Sequence, residues 1–511
     1  MTERAERLLT VPPKAEISII PLSSILRGSR RLEAENYLSE GYSLRSRIER
    51  IGSVPLGQLA RVWQPDRLKG IQVSQKHGQP FLAATQVFDI RPRPRKWLAL
   101  DHTPNAASRF VERGWILVTC SGSVGDAIMS YRPLDEIVIS HDLLRVVAMQ
   151  DENCGYLYAY LRTNFARRMM RSTKYGNVIK HLEVEHLQDV PVITVGSTVR
   201  DMLNAAVSRC FALRNEAHDL LLDSEMQYAD KIGAVNPTAV ESGFPARGRD
   251  LFHGSRRLDA YSYNPLAAAI LSAVERAGLK TQTLESVTDR IWMPLRLSRT
   301  PKDGETAYFS ANELFSVNPP VKKRVDLKNS PHVSGFFVKA GWIVMARSGQ
   351  IYGLNGSVVL TTKAHEAPFF SDDLIRIIPD VSKIRPGYLF TVLGHPDLGR
   401  PLVLRASYGT SIPHIEPSDV CGIPVVRLTR ENEDAIADKS ERAVALRAIA
   451  DDLENAATVY MEAIIANAIG DGSEDDIDGA LADLRIVEAE ADPDSTLRGP
   501  ALEESMKQWL S

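Results

Sequence analysis

Two groups of donor-rich side chains stand around equivalent glycines. Lys174, Tyr175, Asn177, Lys180 and His181 flank Gly176, and Arg405, Ser407, Tyr408, Thr410 and His414 flank Gly409. An arginine can grip O6 and N7 of guanine with two hydrogen bonds, and an asparagine can grip N6 and N7 of adenine. A lysine such as Lys174 suits a phosphate oxygen. The donors therefore match the base edges and backbone of duplex DNA. Arg347, in Ala346-Arg347-Ser348-Gly349, joins the candidates because its counterpart in the first half of the chain is Cys120. Tyr175/Tyr408 and His181/His414 recur in both groups, so a structural role weighs as much as contact. Arg30, Arg31, Arg256 and Arg257 also recur, and phosphate contact, partner docking and a solvated face are equally open for them.

Other chemistry finds little support. Asn318-Pro319-Pro320-Val321 has the outline of an amino-methyltransferase motif, but valine cannot stack on a flipped base, and no glycine-rich cofactor turn precedes it. Gly122-Ser123-Val124-Gly125 lacks the Gly-Lys-Ser/Thr of a phosphate loop. Asp471–Gly479 lacks the closing glutamate of a calcium loop. The four cysteines are scattered, with neither a metal-site spacing nor a disulfide framework. The expectation is a chain with no catalytic residues, no metal and no cofactor of its own.

The elements that must position these residues come in two copies. Gly28–Tyr37 returns as Gly254–Tyr263 with seven of ten positions identical, at an offset of 226. Pro80–Phe88 answers to Ala307–Phe315, and Gly114-Trp115-Ile116 to Gly341-Trp342-Ile343, at 227. Leu143-Leu144-Arg145 answers to Leu374-Ile375-Arg376 at 231, and Tyr175–Pro191 to Tyr408–Pro424 at 233. The offset reads as rising only, as loop insertions between fixed elements would make it. Trp115/Trp342, Gly114/Gly341 and Leu143/Leu374 are expected core or turn residues. The Ser121-Gly122 and Ser348-Gly349 turns suit either close phosphate approach or a plain tight turn.

Each copy has apolar, β-branched runs that predict strands and ends in a long helical pattern. Val199, Leu203, Ala206, Cys210, Leu213, Ala217 and Leu220 step by four and three, as do Asn432, Ile436, Lys439, Ala443, Leu446, Ala450, Leu453, Ala457 and Tyr460. These are heptad seams. The first weakens after Leu220, at Ser224 and Gln227, and the second is weak at its start, so an antiparallel pair would set one weak end against the other. The alternative is that each helix merely covers its own domain.

The chain of 511 residues carries a net charge of −3. Asp471–Ser511 holds 12 acidic against 3 basic residues, a net of −9, which leaves +6 on the other 470. A mildly basic body with an acidic tail is compatible with DNA contact, but predicts weak binding by this chain alone. The charged start lacks the apolar centre of a signal peptide, and no apolar stretch approaches the roughly 20 residues of a membrane span. A cytoplasmic location without membrane contact is expected.

The duplicated order of α+β domain and long helix resembles the specificity subunit of type I restriction–modification enzymes. The strand-turns Gly114–Gly125 and Gly341–Gly353 and the blocks Tyr175–Pro191 and Tyr408–Pro424 carry the likeness, over about residues 28 to 470. Family members start the long helices after a Pro-rich segment with a Glu-Gln pair. Pro191-Val192-Ile193-Thr194 and Pro424-Val425-Val426-Arg427 stand there instead, which suggests a divergent branch. The resemblance implies an α+β fold of two tandem target recognition domains, each followed by a long helix, with the helices paired as an antiparallel coiled coil. Its segments would be an N-terminal segment (1–27), recognition domain 1 (28–195), spacer helix 1 (196–233), a linker (234–253), recognition domain 2 (254–427), spacer helix 2 (428–470) and the acidic tail (471–511). Leu203, Leu213, Leu220, Leu446 and Leu453 would line the helix seam. The implied job is to read a bipartite sequence in double-stranded DNA, non-catalytically, for a restriction–modification or related phage-defence complex. Two adenine-N6 methyltransferase subunits would dock on it, with S-adenosylmethionine bound in them, and a restriction or translocase subunit can join. Two rivals remain. A protein scaffold that joins two partners would have no use for divergent polar loops. A stand-alone methyltransferase would need the missing cofactor motif.

Overall fold

The structure, a computed structural model, describes residues 20, 22, 37, 39–67, 70–101, 105–172, 181–235, 244–245, 247–249, 259–296, 304–326 and 333–491. The candidates Arg30, Arg31, Lys174, Tyr175, Asn177, Lys180, Arg256 and Arg257 lie outside the described residues.

The first half of the chain runs through α1 (Glu40–Ile51), β1 (Ser53–Pro55), β2 (Ala60–Trp63), β3 (Gln72–Val73), β4 (Gln79–Leu82), β5 (Lys96–Leu98), β6 (Ile116–Thr119), β7 (Ala127–Met129), β8 (Val138–Ile139) and β9 (Leu143–Ala148). It continues with α2 (Cys154–Arg162), α3 (Asn164–Ser172), β10 (Pro191–Ile193) and the long α4 (Ser197–Ile232). Helix α1 starts at Ser39, whose hydroxyl accepts from the Tyr42 N–H, and stops at Gly52, whose φ of +97° suits glycine. The principal sheet has the strand order β2–β9–β6–β7, a second sheet runs β3–β5–β4–β8, and β1 pairs with β10. Ile116, Leu117, Val118, Leu143, Leu144 and Val146 are buried without exposure in the principal sheet.

The second half runs through α5 (Pro265–Arg276), β11 (Lys280–Thr283), β12 (Thr288–Trp292), β13 (Thr306–Phe309), β14 (Arg324–Val325), β15 (Ile343–Ala346), β16 (Val358–Leu360), β17 (Phe369–Phe370) and β18 (Leu374–Pro379). Then come α6 (Pro386–Gly394), β19 (Pro424–Arg427), the long α7 (Arg430–Ala468) and α8 (Glu474–Ala491). Its principal sheet has the order β12–β18–β15–β16, its second sheet β14–β13–β17, and β11 pairs with β19. The principal sheets of the two halves thus have corresponding strand orders. One detail differs. Arg61 pairs with Val147 directly after Ala60 pairs with Ala148, whereas β12 skips Asp289 between the Thr288–Pro379 and Arg290–Ile378 pairs. This bulge raises the offset from 228 at Ala60/Thr288 to 229 at Trp63/Trp292, above the 227 of the later Pro80/Ala307. The offset therefore falls once, contrary to the reading that it only rises, because the loop after Trp292 is the shorter one.

By compactness the chain divides into two units, neither continuous in sequence. The first takes described residues within 1–84, 97–208 and 453–488, and the second takes those within 85–96, 209–452 and 489–511. Residues 85–96 of the first half therefore belong to the second unit. In that unit the Ile90 N–H donates to Phe315 O at 2.9 Å and the Val317 N–H to Phe88 O at 2.7 Å.

Each half fixes its long helix through a glycine. In the first unit Asn204 Oδ1 accepts from the N–H of Gly155 at 2.6 Å and of Tyr156 at 3.2 Å. In the second, Glu441 Oε1 accepts from the Gly387 N–H at 2.9 Å. The tyrosine that follows each glycine donates its hydroxyl to the closing strand, Tyr156 to Ile193 O and Tyr388 to Val426 O. Within the second unit α4 and α7 also touch: Arg214 pairs with Asp451 at 2.5 Å, Arg442 with Glu216 at 2.8 Å, and the Ser440 and Ser224 hydroxyls bond at 3.0 Å.

Leu203, Leu213, Leu446 and Leu453 are buried. Leu220 is only half-buried, and Leu221 takes its place. Eighteen residues make about five full turns at about 3.6 per turn, so Leu221 returns to the angle of Leu203, while the 3.5-residue repeat drifts away. Ser224, the expected weak point, is wholly buried against Ser440. The described part of the acidic tail forms α8, an 18-residue helix, which buries Ala480 and Leu484. Ser473 caps it reciprocally with Asp476. No described helix is long and apolar enough to cross a membrane.

Candidate nucleic-acid interface

In the second unit the candidates Arg347, Ser407, Tyr408, Thr410 and His414 come together, and Arg405 lies two residues before Ser407 in the chain. Tyr408 and His414 exchange both backbone hydrogen bonds at 2.9 Å, which closes a hairpin over Gly409–Pro413. Gly409 has φ +96°, a conformation that side chains disfavour. The Tyr408 and His414 rings meet edge to face with centroids 5.0 Å apart. The tip, Thr410-Ser411-Ile412, is exposed.

The turn after β15 holds this hairpin in place. Its Gly349 N–H donates to Pro413 O at 3.2 Å, and the Gln350 amide to Ser411 O at 2.9 Å. Asn355, wholly buried, donates to Pro413 O at 2.6 Å and accepts from the Ser407 hydroxyl at 2.8 Å. Arg400 braces the same turn by donating to the carbonyls of Ile351, Gly353 and Asn355 at 3.0, 2.6 and 3.0 Å. A rigid frame thus presents a short polar tip.

Two candidates change role on this geometry. The Ser407 side chain is wholly buried, so it cannot meet a base, and its hydroxyl instead satisfies Asn355. Arg347 donates to Asp373 Oδ1 at 3.3 Å and to Glu416 Oε1 at 2.5 Å. Glu416 also accepts from the Tyr408 hydroxyl at 2.8 Å. Burial raises the Glu416 carboxyl, but the bonds from Arg347 and Tyr408 outweigh it and hold the group below its ordinary value. A guanidinium engaged by two carboxylates is a clamp, and it ties the turn, the hairpin and the start of β18 together. Thr410 is exposed, and so is Arg405, whose Nε donates to the Ser262 carbonyl at 3.4 Å.

The first unit shows the same frame where it is described. Ser121 bridges His181 as Ser348 bridges His414. The Leu182 N–H donates to Cys120 O at 2.8 Å, as the Ile415 N–H donates to Arg347 O at 3.0 Å. Cys120 replaces the clamp. Its thiol is buried, and burial, with Asp142 second, pushes it up to about 11.

Two recurrent constellations were missed in the sequence. Arg145 and Arg376 are wholly buried, and each donates to backbone carbonyls around the turn before its own strand: Ser140 and Leu143 for one, Ser371 and Leu374 for the other. Burial lowers both to about 10. Trp63 meets Trp115 at 4.9 Å and Trp292 meets Trp342 at 5.1 Å, both at 77°. Arg61 and Arg290 each lie 4.7 Å over the first tryptophan of the pair. The signal was present as Arg61-Val62-Trp63 and Arg290-Ile291-Trp292. Trp115 and Trp342, expected as core, are half-buried at the edge of it. No group of three or more potential metal ligands occurs among the described residues.

No protein-family model matches the sequence, and no curated protein matches it. Among solved structures the chain is similar to the S subunit of a type I restriction–modification system from M. genitalium, at 11% identity over 82% of this chain and 95% of that one, with a TM-score of 0.28. A chain from a study of assembly and conformational transition in a type I R-M system is 14% identical over 82% and 98%, with a TM-score of 0.25. The HsdS subunit from Thermoanaerobacter tengcongensis is 13% identical over 82% and 97%, with a TM-score of 0.24. TM-scores this low leave the functional reading to the residues themselves.

Proposed function

We propose that this chain is the sequence-specific DNA-recognition subunit of a type I-like restriction–modification or related phage-defence complex. It catalyses nothing itself and reads a bipartite target. The observation that carries the reading is the duplicated frame: two principal sheets of corresponding strand order, each with a Ser-Gly turn bridged to a histidine, at Ser121–His181 and Ser348–His414. The frame is shared while the residues it presents differ, which suits two readers of different half-sites. Thr410 and Arg405 are the described candidates for contact with the second half-site. Lys174, Asn177 and Lys180 are the candidates for the first, with Asn177 at the sequence position of Thr410.

The helices supply the spacing. The contacts 214–451, 216–442 and 224–440 run in opposite senses along α4 and α7, which supports an antiparallel pair. A 36-residue helix is about 54 Å long, enough to hold two readers a DNA turn of about 34–36 Å apart or somewhat more. Two adenine-N6 methyltransferase subunits carrying S-adenosylmethionine dock on the chain, and a restriction or translocase subunit can join them. Methylome sequencing of cells that express the chain with its partner methyltransferase tests this. Methylation of two short half-sites separated by an unread gap is expected, and a continuous target or no methylation defeats the reading.

A further inference from the structure

The sequence Arg91-Pro92-Arg93-Pro94-Arg95-Lys96 lies in the first half of the chain, yet it belongs to the second unit. Its alternating prolines fix φ and favour an extended backbone. Two of its arginines are held by a neutral acceptor: Arg91 and Arg93 donate to the Gly394 carbonyl at 3.3 and 3.1 Å. Arg400, which braces the turn under the hairpin, likewise donates only to carbonyls among its described bonds. Carbonyls satisfy donors without cancelling charge.

Among the described residues, three carboxylates act on this group. Glu225 pairs with Arg91, Asp397 acts on Arg93, and Asp89 lies near Arg95. Against them stand Arg91, Arg93, Arg95, Lys96 and Arg400, so positive charge is in excess even with all three acids ionised. The crowding is felt within the group. Burial first, then Arg93 and Arg95, lowers the Arg400 guanidinium to about 10. An anion placed here would relieve that repulsion. Lys96 is exposed and Arg95 half-buried, so the outer end of the arm can be reached.

We propose that the arm Arg91–Lys96 grips the phosphate backbone of duplex DNA beside the hairpin of the second unit, with Arg95 and Lys96 as the contacting cations. Arg91, Arg93 and Arg400 position them and supply field. A segment encoded with the first reader thereby contributes the sequence-independent affinity of the second. This inference rests on the reading of the chain as a DNA-recognition subunit.

The test measures binding of the complete complex with its methyltransferase partner to its methylated target and to an unrelated duplex of equal length, over a range of salt. For Arg95→Ala with Lys96→Ala, both duplexes should bind more weakly by the same factor. The slope of log affinity against log salt should become shallower by about 2, or about one per lost phosphate contact. Arg95→Lys with Lys96→Arg should restore the parent slope. An unchanged slope overturns the proposal, and so does a loss confined to one base pair of the target. A DNA slope that is intact while less methyltransferase remains in the complex would also overturn it, by assigning the arm to a protein surface. The slope on the unrelated duplex reads the arm even where the parent complex prefers no sequence, an outcome that sinks the bipartite reading alone.

Discussion

Glu416 receives Arg347 at 2.5 Å and the Tyr408 hydroxyl at 2.8 Å on the same oxygen. One carboxylate thus ties the turn after β15 to both ends of the hairpin. Because the pair is partly exposed, its direct stability contribution is about 1 kcal/mol at most, but the geometry it holds matters more. Arg347→Ala and Glu416→Gln should each weaken discrimination at the second half-site and leave the first unchanged. The double variant should be little worse than either single one, since both break the same clamp. If Arg347 read a base directly, Glu416→Gln would instead free it and preserve the preference. Methylome sequencing of the three variants separates the outcomes.

Gly155 and Gly387 anchor the long helices by close approach. A Cβ on Gly155 would lie 2.6 Å from Asn204 Cα, and one on Gly387 would lie 2.7 Å from Ala437 O. Neither neighbour can swing away, because both are helix backbone. Gly155→Ala and Gly387→Ala should each cost roughly 1–3 kcal/mol, the usual penalty of overpacking. Chemical denaturation followed by fluorescence checks this. A midpoint unchanged in both variants would show that the helices do not rest on these glycines.

The duplicated frame was legible in the sequence because turns and strand starts demand particular residues. Gly114 and Gly341 have φ of +87° and +81°, so both copies kept glycine. The Arg-x-Trp pairs were equally visible, but their offset of 229, to which the bulge at Asp289 adds one residue, differs from the 226 and 227 of the flanking segments. Ser407 looked like a reader because hydroxyls suit DNA, and nothing local in the sequence reveals the buried Asn355 amide it satisfies. The membership of 85–96 in the second unit was not legible, since it depends on pairing with Phe315 and Val317, more than two hundred residues away in the chain. Leu221 replaced Leu220 because the buried line follows the true helical pitch over five turns rather than the ideal heptad.

His395 should make the second unit acid-sensitive. It is buried, and its Nδ1 accepts the N–H groups of Asp397 and Leu398, both at 3.2 Å. Only the neutral ring can accept there. Burial, opposed by Asp397 and reinforced by Arg91 and Arg93, lowers the imidazole to about 4. The unfolded ring takes a proton near pH 6.5, so between about 6.5 and 4 the unfolded chain binds more protons than the native one. The contribution is complete above pH 6.5 and is lost as pH falls toward 4, to an extent of about 3 kcal/mol. His395→Asn should be less stable than the parent at pH 7.5, and its stability should fall less steeply on acidification. Thermal unfolding at pH 7.5, 6 and 5 measures both slopes. Parallel slopes would mean that another group, such as His365, carries the acid response.

Helix length should set the unread gap and nothing else. Seven residues added at matched positions of α4 and α7 turn each buried line by only about 20° and lengthen each helix by about 10.5 Å. At about 3.4 Å per base pair the gap should grow by about three base pairs while both half-sites keep their sequence. Adding seven residues to α4 alone would shift the partners of Arg214, Glu216 and Ser224 out of register with Asp451, Arg442 and Ser440, and should abolish specific methylation. The matched insertion is read by methylome sequencing. A gap that stays constant, or half-sites that change their bases, would show that the two helices do not act as the ruler between the readers.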